Sequence, residues 1–422
     1  MRVHDYCGLD FGTSNSTIGI DMGSQIMMAP LEQGKPIIRS AIFFDFDSGR
    51  SQFGQEGIDQ YLSGVHGRLM MSIKSVLGSS LMGENIIIEH RRIPYRDILA
   101  SLLRHIKQQA ELTLGHELTK VVLGRPVRFH DQSDEKDRLA QDTMEGIAHK
   151  IGFKTVLFQY EPIAAALTYE QSITREQLAL IIDLGGGTSD FSVIRLRPGM
   201  EGQDRRQDVL ANNGIHIGGT DFDTLLSLNA VMPQLGLGGE MRGMSGNIQI
   251  PSRYYHDLTA WHTINSLYTH QTRSELQALK NLACDPKRIA RLINVIEKNQ
   301  GHKILNKVEQ GKCLLSSSAE VRLDFEFIEK EFSFDIKRTT FESLMKNKVE
   351  QLVQTVLKTV SDSGITANEI NSIFFTGGST QIPFIRAAIL KHFPSAETVQ
   401  GDVFSSVGKG LIIDAKHKFS GI

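Results

Sequence analysis

Two stretches of the sequence share one pattern: an apolar run, an aspartate, a turn rich in glycine and hydroxyl residues, and a second apolar run. They are CGLDFGTSNSTIGI at 7–20 and IIDLGGGTSDFSVI at 181–194. Apolar runs bounded by such turns predict two β-strands joined by a tight connection. Because the pattern occurs twice, the sequence predicts a duplicated half, with one such hairpin at the start of each copy.

Strand-like and helical patterns alternate along the rest of the chain. Helical periodicity occurs at 341–360 and at 96–114, where Ile98, Leu102, Ile106 and Leu112 are expected on one face. Runs rich in Ile, Val and Phe predict strands at 40–46, 85–93, 120–127, 178–185, 190–196, 321–327 and 371–378. Alternation of this kind is typical of the α/β class.

The bulk composition argues against several classes of protein. With 40% hydrophobic residues, 22% charged residues and a formal net charge of −2, the chain resembles neither a disordered nor a nucleic-acid-binding protein. No apolar run approaches the roughly 18 residues of a membrane span. The three cysteines form no CxxC pair. We therefore expect a cytoplasmic protein with no nucleic-acid or membrane partner.

A chain of 422 residues is too long for one ordinary core, so we predict two lobes. Lobe I is expected at 1–182, with a peripheral subdomain at about 40–115. Lobe II is expected at 183–422, interrupted by a helical insertion at about 225–316. Inside this insertion, the stretch GLGGEMRGMSG at 236–246 predicts a mobile surface loop.

The second turn has the composition of an anion site. Gly185, Gly186 and Gly187 lack Cβ atoms, so their N–H groups can converge on a phosphate, and Thr188 adds a hydroxyl. Asp183 and Asp190 flank this turn, and carboxylates beside a phosphate make sense when a hydrated Mg²⁺ lies between them. Each turn alone is also typical of an ordinary hairpin. Neither the GxxxxGK[ST] pattern nor the GxGxxG pattern is present.

Five segments in order resemble the nucleotide-site segments of DnaK-type heat-shock chaperones, whose fold is shared with actin and hexokinase. They are LDFGTSNS (9–16), YEPIAAAL (160–167), IIDLGGGTSDFS (181–192), GIHIGGTDFD (214–223) and FFTGGSTQIPFI (374–385). GRPV at 124–127 and FQYEPIAAAL at 158–167 look closest to the YegD-like branch. The resemblance implies an actin-like ATPase fold of two lobes, each built on a mixed sheet with flanking helices, and a nucleotide cleft between them.

The resemblance also implies roles for individual residues around ATP or ADP and Mg²⁺. Asp10 and Asp183 would orient the waters on Mg²⁺, Lys74 would position the attacking water, and Glu161 and Asp190 would lie near that water. Thr188 would be a further catalytic residue. The β- and γ-phosphates would be held by Gly12, Thr13, Ser14, Asn15, Gly185, Gly186, Gly187 and Thr188. Gly218 and Gly219 would line the phosphate side of lobe II. Ribose and adenine would contact Glu309, Lys312, Ser316, Gly377, Gly378, Ser379 and Asp402.

Simpler interpretations exist for three of these positions. Lys74 could be an ordinary solvated lysine, Glu161 could cap the helix that follows it, and Ser316 could belong to a polar start of a strand. The sequence also departs from the family. Cys313 and Gln381 stand where two arginines usually sandwich the adenine, and the tyrosine that usually follows the switch proline is replaced by Arg128.

The resemblance therefore implies a Mg-ATP-binding, slowly hydrolysing, chaperone-like protein without the peptide-binding domain. The basis of that expectation is the short stretch of sequence that remains after the nucleotide-site residues, which ends in GLIIDAKHKFSGI. Lobe closure could be sensed by a protein partner. The alternatives are a nucleotide-binding scaffold without hydrolysis, a small-molecule kinase of the same superfamily, and an actin-like filament protein.

Overall fold

The structure, a computed structural model, describes residues 4–88, 91–129, 133–199, 204–261, 263–399 and 405–420. Within these ranges the strands are β1 (Tyr6–Phe11), β2 (Asn15–Asp21), β3 (Ile26–Met28), β4 (Ile38–Arg39), β5 (Ala41–Asp45), β6 (Ser51–Phe53), β7 (Gly67–Met71), β8 (Asn85–Ile88), β9 (Arg91–Pro94), β10 (Lys120–Arg125), β11 (Thr155–Tyr160), β12 (Gln177–Leu184), β13 (Ser189–Leu196), β14 (Val209–Ile215), β15 (Glu240–Gly243), β16 (Gly246–Gln249), β17 (Glu320–Asp324), β18 (Ser333–Lys337), β19 (Ser372–Thr376) and β20 (Glu397–Val399).

Helices account for most of the remaining regular structure. They are α1 (Gly54–Ser63), α2 (Tyr95–Leu114), α3 (Asp134–Lys150), α4 (Glu161–Glu170), α5 (Gly219–Leu226), α6 (Arg253–Asp257), α7 (His270–Leu282), α8 (Pro286–Glu297), α9 (Gly301–Leu315), α10 (Arg338–Asp362), α11 (Pro383–Leu390) and α12 (Ser406–Ser420). Over the described ranges, none of these helices combines the length and the apolar character needed to cross a membrane.

The two large sheets have the same order and the same strand directions. In the first, β1 pairs antiparallel with β2 and parallel with β10, while β3 and β11 extend the two sides. In the second, β12 pairs antiparallel with β13 and parallel with β19, while β14 and β20 extend the two sides. The predicted α/β class and the predicted duplication are therefore confirmed.

Most sequence-predicted elements form, with two corrections. The 85–93 pattern is not one strand, because β8 and β9 pair antiparallel as separate strands. Leu112 is 76% exposed and does not lie on the buried face of α2, whereas Ala110 is fully buried there. Residues four apart repeat on one helix face, so 98, 102 and 106 continue to 110, not to 112.

Helices α4 and α12 pack against each other and share one hydrophobic cluster with strands of both large sheets. Ile163 and Ala164 of α4, Leu411 and Ile412 of α12, and Ile181 of β12 belong to this cluster. The helices approach closely because a Cβ at Gly410 would lie only 1.8 Å from the Ala164 carbonyl oxygen. Glycine is therefore required at that contact.

The chain divides into two compact units. The first contains Met1–His216, Leu352–Thr380 and Ile389–Ile422, and the second contains Ile217–Gln351 and Gln381–Ala388. Both large sheets belong to the first unit, so this division does not follow the lobe boundary predicted at 182/183, and the lobe assignment stays a prediction. In the second unit, the predicted loop at 236–246 is partly regular, because β15 and β16 pair as a hairpin through Gly243 and Gly246.

Candidate phosphate and cation site

The first predicted turn connects β1 to β2 and is closed by its own backbone. The Gly12 N–H donates to the Asn15 carbonyl oxygen at 3.0 Å. A Cβ at Gly12 would lie 2.3 Å from that same oxygen, so only glycine fits at this position. The main chain of the turn is also held from outside, since the Ser40 N–H donates to the Ser14 carbonyl oxygen at 2.9 Å.

The second turn, between β12 and β13, repeats this geometry and contacts the first. The Gly185 N–H donates to the Thr188 carbonyl oxygen at 2.9 Å. A Cβ at Gly186 would lie 2.2 Å from Ser14 Oγ, so the first turn contacts the second, and a side chain at position 186 would require the Ser14 hydroxyl to rotate away. Gly187 faces open space. The fold thus brings together the two turns that the sequence pattern singled out.

A third turn, following β19, lies against the second. Gly377 has a φ of +77°, and a Cβ there would meet the Leu184 carbonyl oxygen at 2.4 Å and Asp183 Oδ1 at 2.6 Å. Glycine suits this left-handed conformation and this close approach. Ser379 Oγ donates to the Gly185 carbonyl oxygen at 3.1 Å. The predicted residues Gly377 and Ser379 therefore lie beside the second turn.

Lys74 and Glu161 form a partly buried ion pair. Glu161 is the first residue of α4, whose first turn contains Pro162 and whose interior is rich in alanine, as expected for a stable helix start. Lys74 lies in a short 3₁₀ turn, Ile73–Val76, that the buried Ile73 anchors in the core. Lys74 Nζ donates to Glu161 Oε1 at 2.9 Å, and the two side chains are 12% and 14% exposed.

Three carboxylates line one small cavity. Asp183 and Asp190 are Cα partners across the β12–β13 hairpin, so their side chains share one face of the sheet. Glu161 and Thr376 line the same cavity, and Thr376 donates a side-chain hydrogen bond to Asp183. The wall is completed by Pro126, Val127, Pro162, Ile181, Ser192, Asn212 and Val407.

The buried charges of this region are unbalanced. Burial, reinforced by the charge of Glu161, raises the pKa of Asp10 from 3.8 to about 8, although Lys74 opposes the rise. Burial and Glu161 also raise the pKa of Asp183 to about 6, against the Thr376 hydrogen bond and Lys74. For Lys74, burial lowers the pKa, but the charges of Glu161 and Asp10 outweigh it and raise the pKa above 10.5. Lys74 is therefore a stable cation that only partly neutralises its neighbours.

A hydrated divalent cation fits this donor set. Asp10, Asp183 and Glu161 lie around one lysine, and a pKa of about 8 leaves Asp10 largely protonated near pH 7, so a bound cation would favour its ionised form. Mg²⁺ keeps most of its waters while using few protein carboxylates. Among the described residues, no group of three or more His, Cys, Asp or Glu side chains is arranged to bind a metal directly. The binding of Mg²⁺ by Asp10 and Asp183 through water stays a prediction.

Some of the remaining predicted residues meet in the second unit. Gly218 and Gly219 form the start of α5, where the Gly218 N–H donates to Asp221 Oδ2 at 2.9 Å. Lys312, on α9, donates to the Gly219 carbonyl oxygen at 3.1 Å and to Asp223 Oδ2 at 2.8 Å. Glu309 lies on the same helix and Ser316 directly follows it. Asp402 lies outside the described residues.

The simpler interpretations of two residues do not hold in the structure. Lys74 is not an ordinary solvated lysine, because its ammonium group is mostly buried and paired. Glu161 is not the N-cap of α4, because Tyr160 occupies that position and the Glu161 side chain binds Lys74. Ser316 caps the C-terminus of α9 and precedes β17 by several residues, which leaves its role open.

Two residues around the site were not singled out by the sequence. Ser40 holds the first turn, and Thr376 binds Asp183. A serine before a strand carries no motif. Thr376 lies inside the FFTGGSTQIPFI segment, and β19 runs parallel to β12 with Thr376 beside Asp183.

In comparison with known protein families, the chain matches the family described as Hsp70 protein over residues 6–232 and 279–412, which is most of the chain. The matched ranges contain both turns, Lys74, Glu161 and Asp190, and they leave out the segment that carries β15, β16 and α6.

Proposed function

Because this chain belongs to the Hsp70 protein family, we propose that it binds Mg-ATP at the two contacting turns and hydrolyses it slowly. The family supports an ATP-binding, chaperone-like protein with the actin-like ATPase fold. One observation carries the finer proposal: the Ser14 side chain of the first turn lies against Gly186 of the second, in a region of unbalanced buried carboxylates.

The residues of the turns suit the phosphates. Backbone N–H groups of Thr13 to Asn15 and of Gly186 to Thr188 would bind phosphate oxygens, as glycine-rich turns do elsewhere. Asp10 and Asp183 would hold Mg²⁺ through water. When bound, the ion neutralises phosphate charge, which is the main requirement of phosphoryl transfer.

Lys74, Glu161 and Asp190 suit the chemical step. Glu161 fixes the Lys74 ammonium group at 2.9 Å, and that cation would stabilise charge on the transferred phosphoryl group and orient the attacking water. Glu161 and Asp190 line one cavity and would accept the proton that this water loses. Catalysis would then rest on positioning and charge, without a covalent intermediate.

Further details of the proposal come from the family resemblance. Glu309, Lys312 and Ser316, with Gly218 and Gly219, would contact the rest of the nucleotide. Cys313 and Gln381 lack the guanidinium planes that usually stack on adenine, so discrimination between ATP and GTP would be poor. We further propose that the protein is cytoplasmic and belongs to the YegD-like branch. Its two lobes would be residues 1–182 and 183–422, and a protein partner would sense their closure.

A nucleotide-binding scaffold without hydrolysis is the second candidate. The missing arginines favour it, because weaker adenine contacts reduce the binding energy available for holding the triphosphate in a reactive position.

The variant Lys74→Ala separates the two candidates. Losing one preorganised charge should lower the single-turnover rate of phosphate release by about 10²-fold, with little change in ATP affinity. Lys136→Ala is the matched control, because Lys136 is exposed on α3. A wild-type protein that binds ATP but releases no phosphate would support the scaffold. Normal hydrolysis by Lys74→Ala would contradict the assigned role of this lysine.

A further inference from the structure

Two carbonyl groups of the first turn face the same residue, Ser40. Ser40 Oγ donates to the Gly12 carbonyl oxygen at 2.7 Å, and the Ser40 N–H donates to the Ser14 carbonyl oxygen at 2.9 Å. Ser40 is only 2% exposed, so these bonds are protected from competing water. The two carbonyls are therefore held on one side of the turn.

The hydroxyl groups around Ser40 can be assigned as donors and acceptors. Ser16 Oγ lies 2.9 Å from Ser40 Oγ, and both residues are buried. A serine hydroxyl has one proton. Because a carbonyl oxygen can only accept, Ser40 donates its proton to Gly12, and this bond has a fixed direction. Ser40 must therefore accept the proton of Ser16.

Because the peptide bond is planar, the hydrogen bond from Ser40 to the Gly12 carbonyl also fixes the direction of the Thr13 N–H group. In a trans peptide the C=O and the following N–H point in opposite directions. With the Gly12 carbonyl held toward Ser40, the Thr13 N–H points away from Ser40. The same relation occurs at the second turn, where Ser379 Oγ donates to the Gly185 carbonyl and thereby orients the Gly186 N–H.

We propose that Ser40 and Ser379 are positioning residues that fix the Gly12–Thr13 and Gly185–Gly186 peptide planes, so that the Thr13 and Gly186 N–H groups face the nucleotide phosphates. The inference rests on the proposed function. It gives Ser379 a role different from the expected contact with adenosine, because its hydroxyl proton is used on Gly185.

The experiment compares Ser40→Ala and Ser379→Ala with wild type, using tripolyphosphate, ADP and adenosine as probes in calorimetric titrations with Mg²⁺. Each variant should weaken tripolyphosphate and ADP binding by about threefold to tenfold, the scale of one neutral hydrogen bond. Adenosine has no phosphate, so its affinity should stay unchanged. Ser40→Thr, which keeps the hydroxyl, should restore phosphate binding.

Ser16→Ala is the matched control, because it removes an equally buried hydroxyl that does not touch Gly12. It should change tripolyphosphate binding by less than about twofold. Unchanged phosphate affinity in both test variants, or equal losses for adenosine and tripolyphosphate, would overturn the proposal. If Ser40→Ala fails to fold, Ser379→Ala alone decides it. A wild-type protein that binds none of the probes would instead refute the proposed function.

Discussion

At the scale of single residues, His302 in the second unit is a buried histidine with an optical reporter beside it. Its Nε2 lies 3.0 Å from the Trp261 carbonyl oxygen, and the two rings are 4.8 Å apart between centroids. Burial lowers the pKa of His302 from 6.5 to about 4, although the Trp261 carbonyl opposes the shift. Trp261 is the only tryptophan of the chain, so its fluorescence reports on this histidine's surroundings.

We predict that acid lowers the free energy of unfolding through the protonation of His302. The unfolded chain takes up a proton on His302 near pH 6.5, whereas the folded chain resists it down to about pH 4. The contribution of His302 to the free energy of unfolding should therefore be constant above pH 6.5. Below that pH, it should fall by up to about 1.4 kcal/mol per pH unit. Urea unfolding followed by Trp261 fluorescence measures the effect.

His302→Gln should flatten this pH dependence between about pH 4 and 6.5. His270→Gln, at the exposed start of α7, should leave the dependence as in wild type. If the His302 variant retains the full acid sensitivity, other groups must account for it.

At the scale of elements, the α4–α12 contact links the helix that carries Glu161 to the sheet that carries Asp10. Gly410 of α12 packs directly on the Ala164 backbone, where even one methyl group would collide with the carbonyl oxygen at 1.8 Å. A mutation here acts on the packing of α4, where Ala164 lies three residues after Glu161.

Gly410→Ala should lower the free energy of unfolding by about 1–3 kcal/mol or more, as expected for overpacking against rigid backbone. Gly146→Ala is the matched control, because Gly146 lies inside α3 and nothing lies within 4 Å of its added Cβ. It should raise the free energy of unfolding by about 0.5–1 kcal/mol, since alanine favours the helix. Urea unfolding of both variants checks the pair, and losses of equal size would contradict the packing argument.

The sequence predicts strands and helices correctly where the apolar pattern of a segment matches that of the elements it pairs or packs with. The strands flanking both turns are apolar, bounded by glycine, and paired with strands of similar character. Periodicity does not reveal the hairpin at 85–93, because no glycine or proline marks a turn between the apolar strand β8 and β9, which begins with two arginines. Ser40 was missed because its contact is made across 28 residues of chain, which periodicity does not reveal.

At the scale of the whole molecule, the duplicated sheet explains why the turns of two weak motifs lie in contact. Each hairpin occupies the same position in its sheet, and the third turn reaches the second through Ser379. The duplication was visible in the sequence. The division into compact units was not, because it depends on how Leu352–Thr380 and Ile389–Ile422 return to the first unit.

The central claim, that this chain binds Mg-ATP at the two turns, is tested most directly by its melting temperature. A ligand that binds only the folded chain stabilises it, by about 2.7 kcal/mol at 100 times its Kd. With millimolar Mg-ATP we predict a rise of several degrees. The rise should be smaller when EDTA removes Mg²⁺, and Asp10→Asn combined with Asp183→Asn should lose the Mg²⁺-dependent part. An unchanged melting temperature of the wild-type protein in millimolar Mg-ATP would contradict the account.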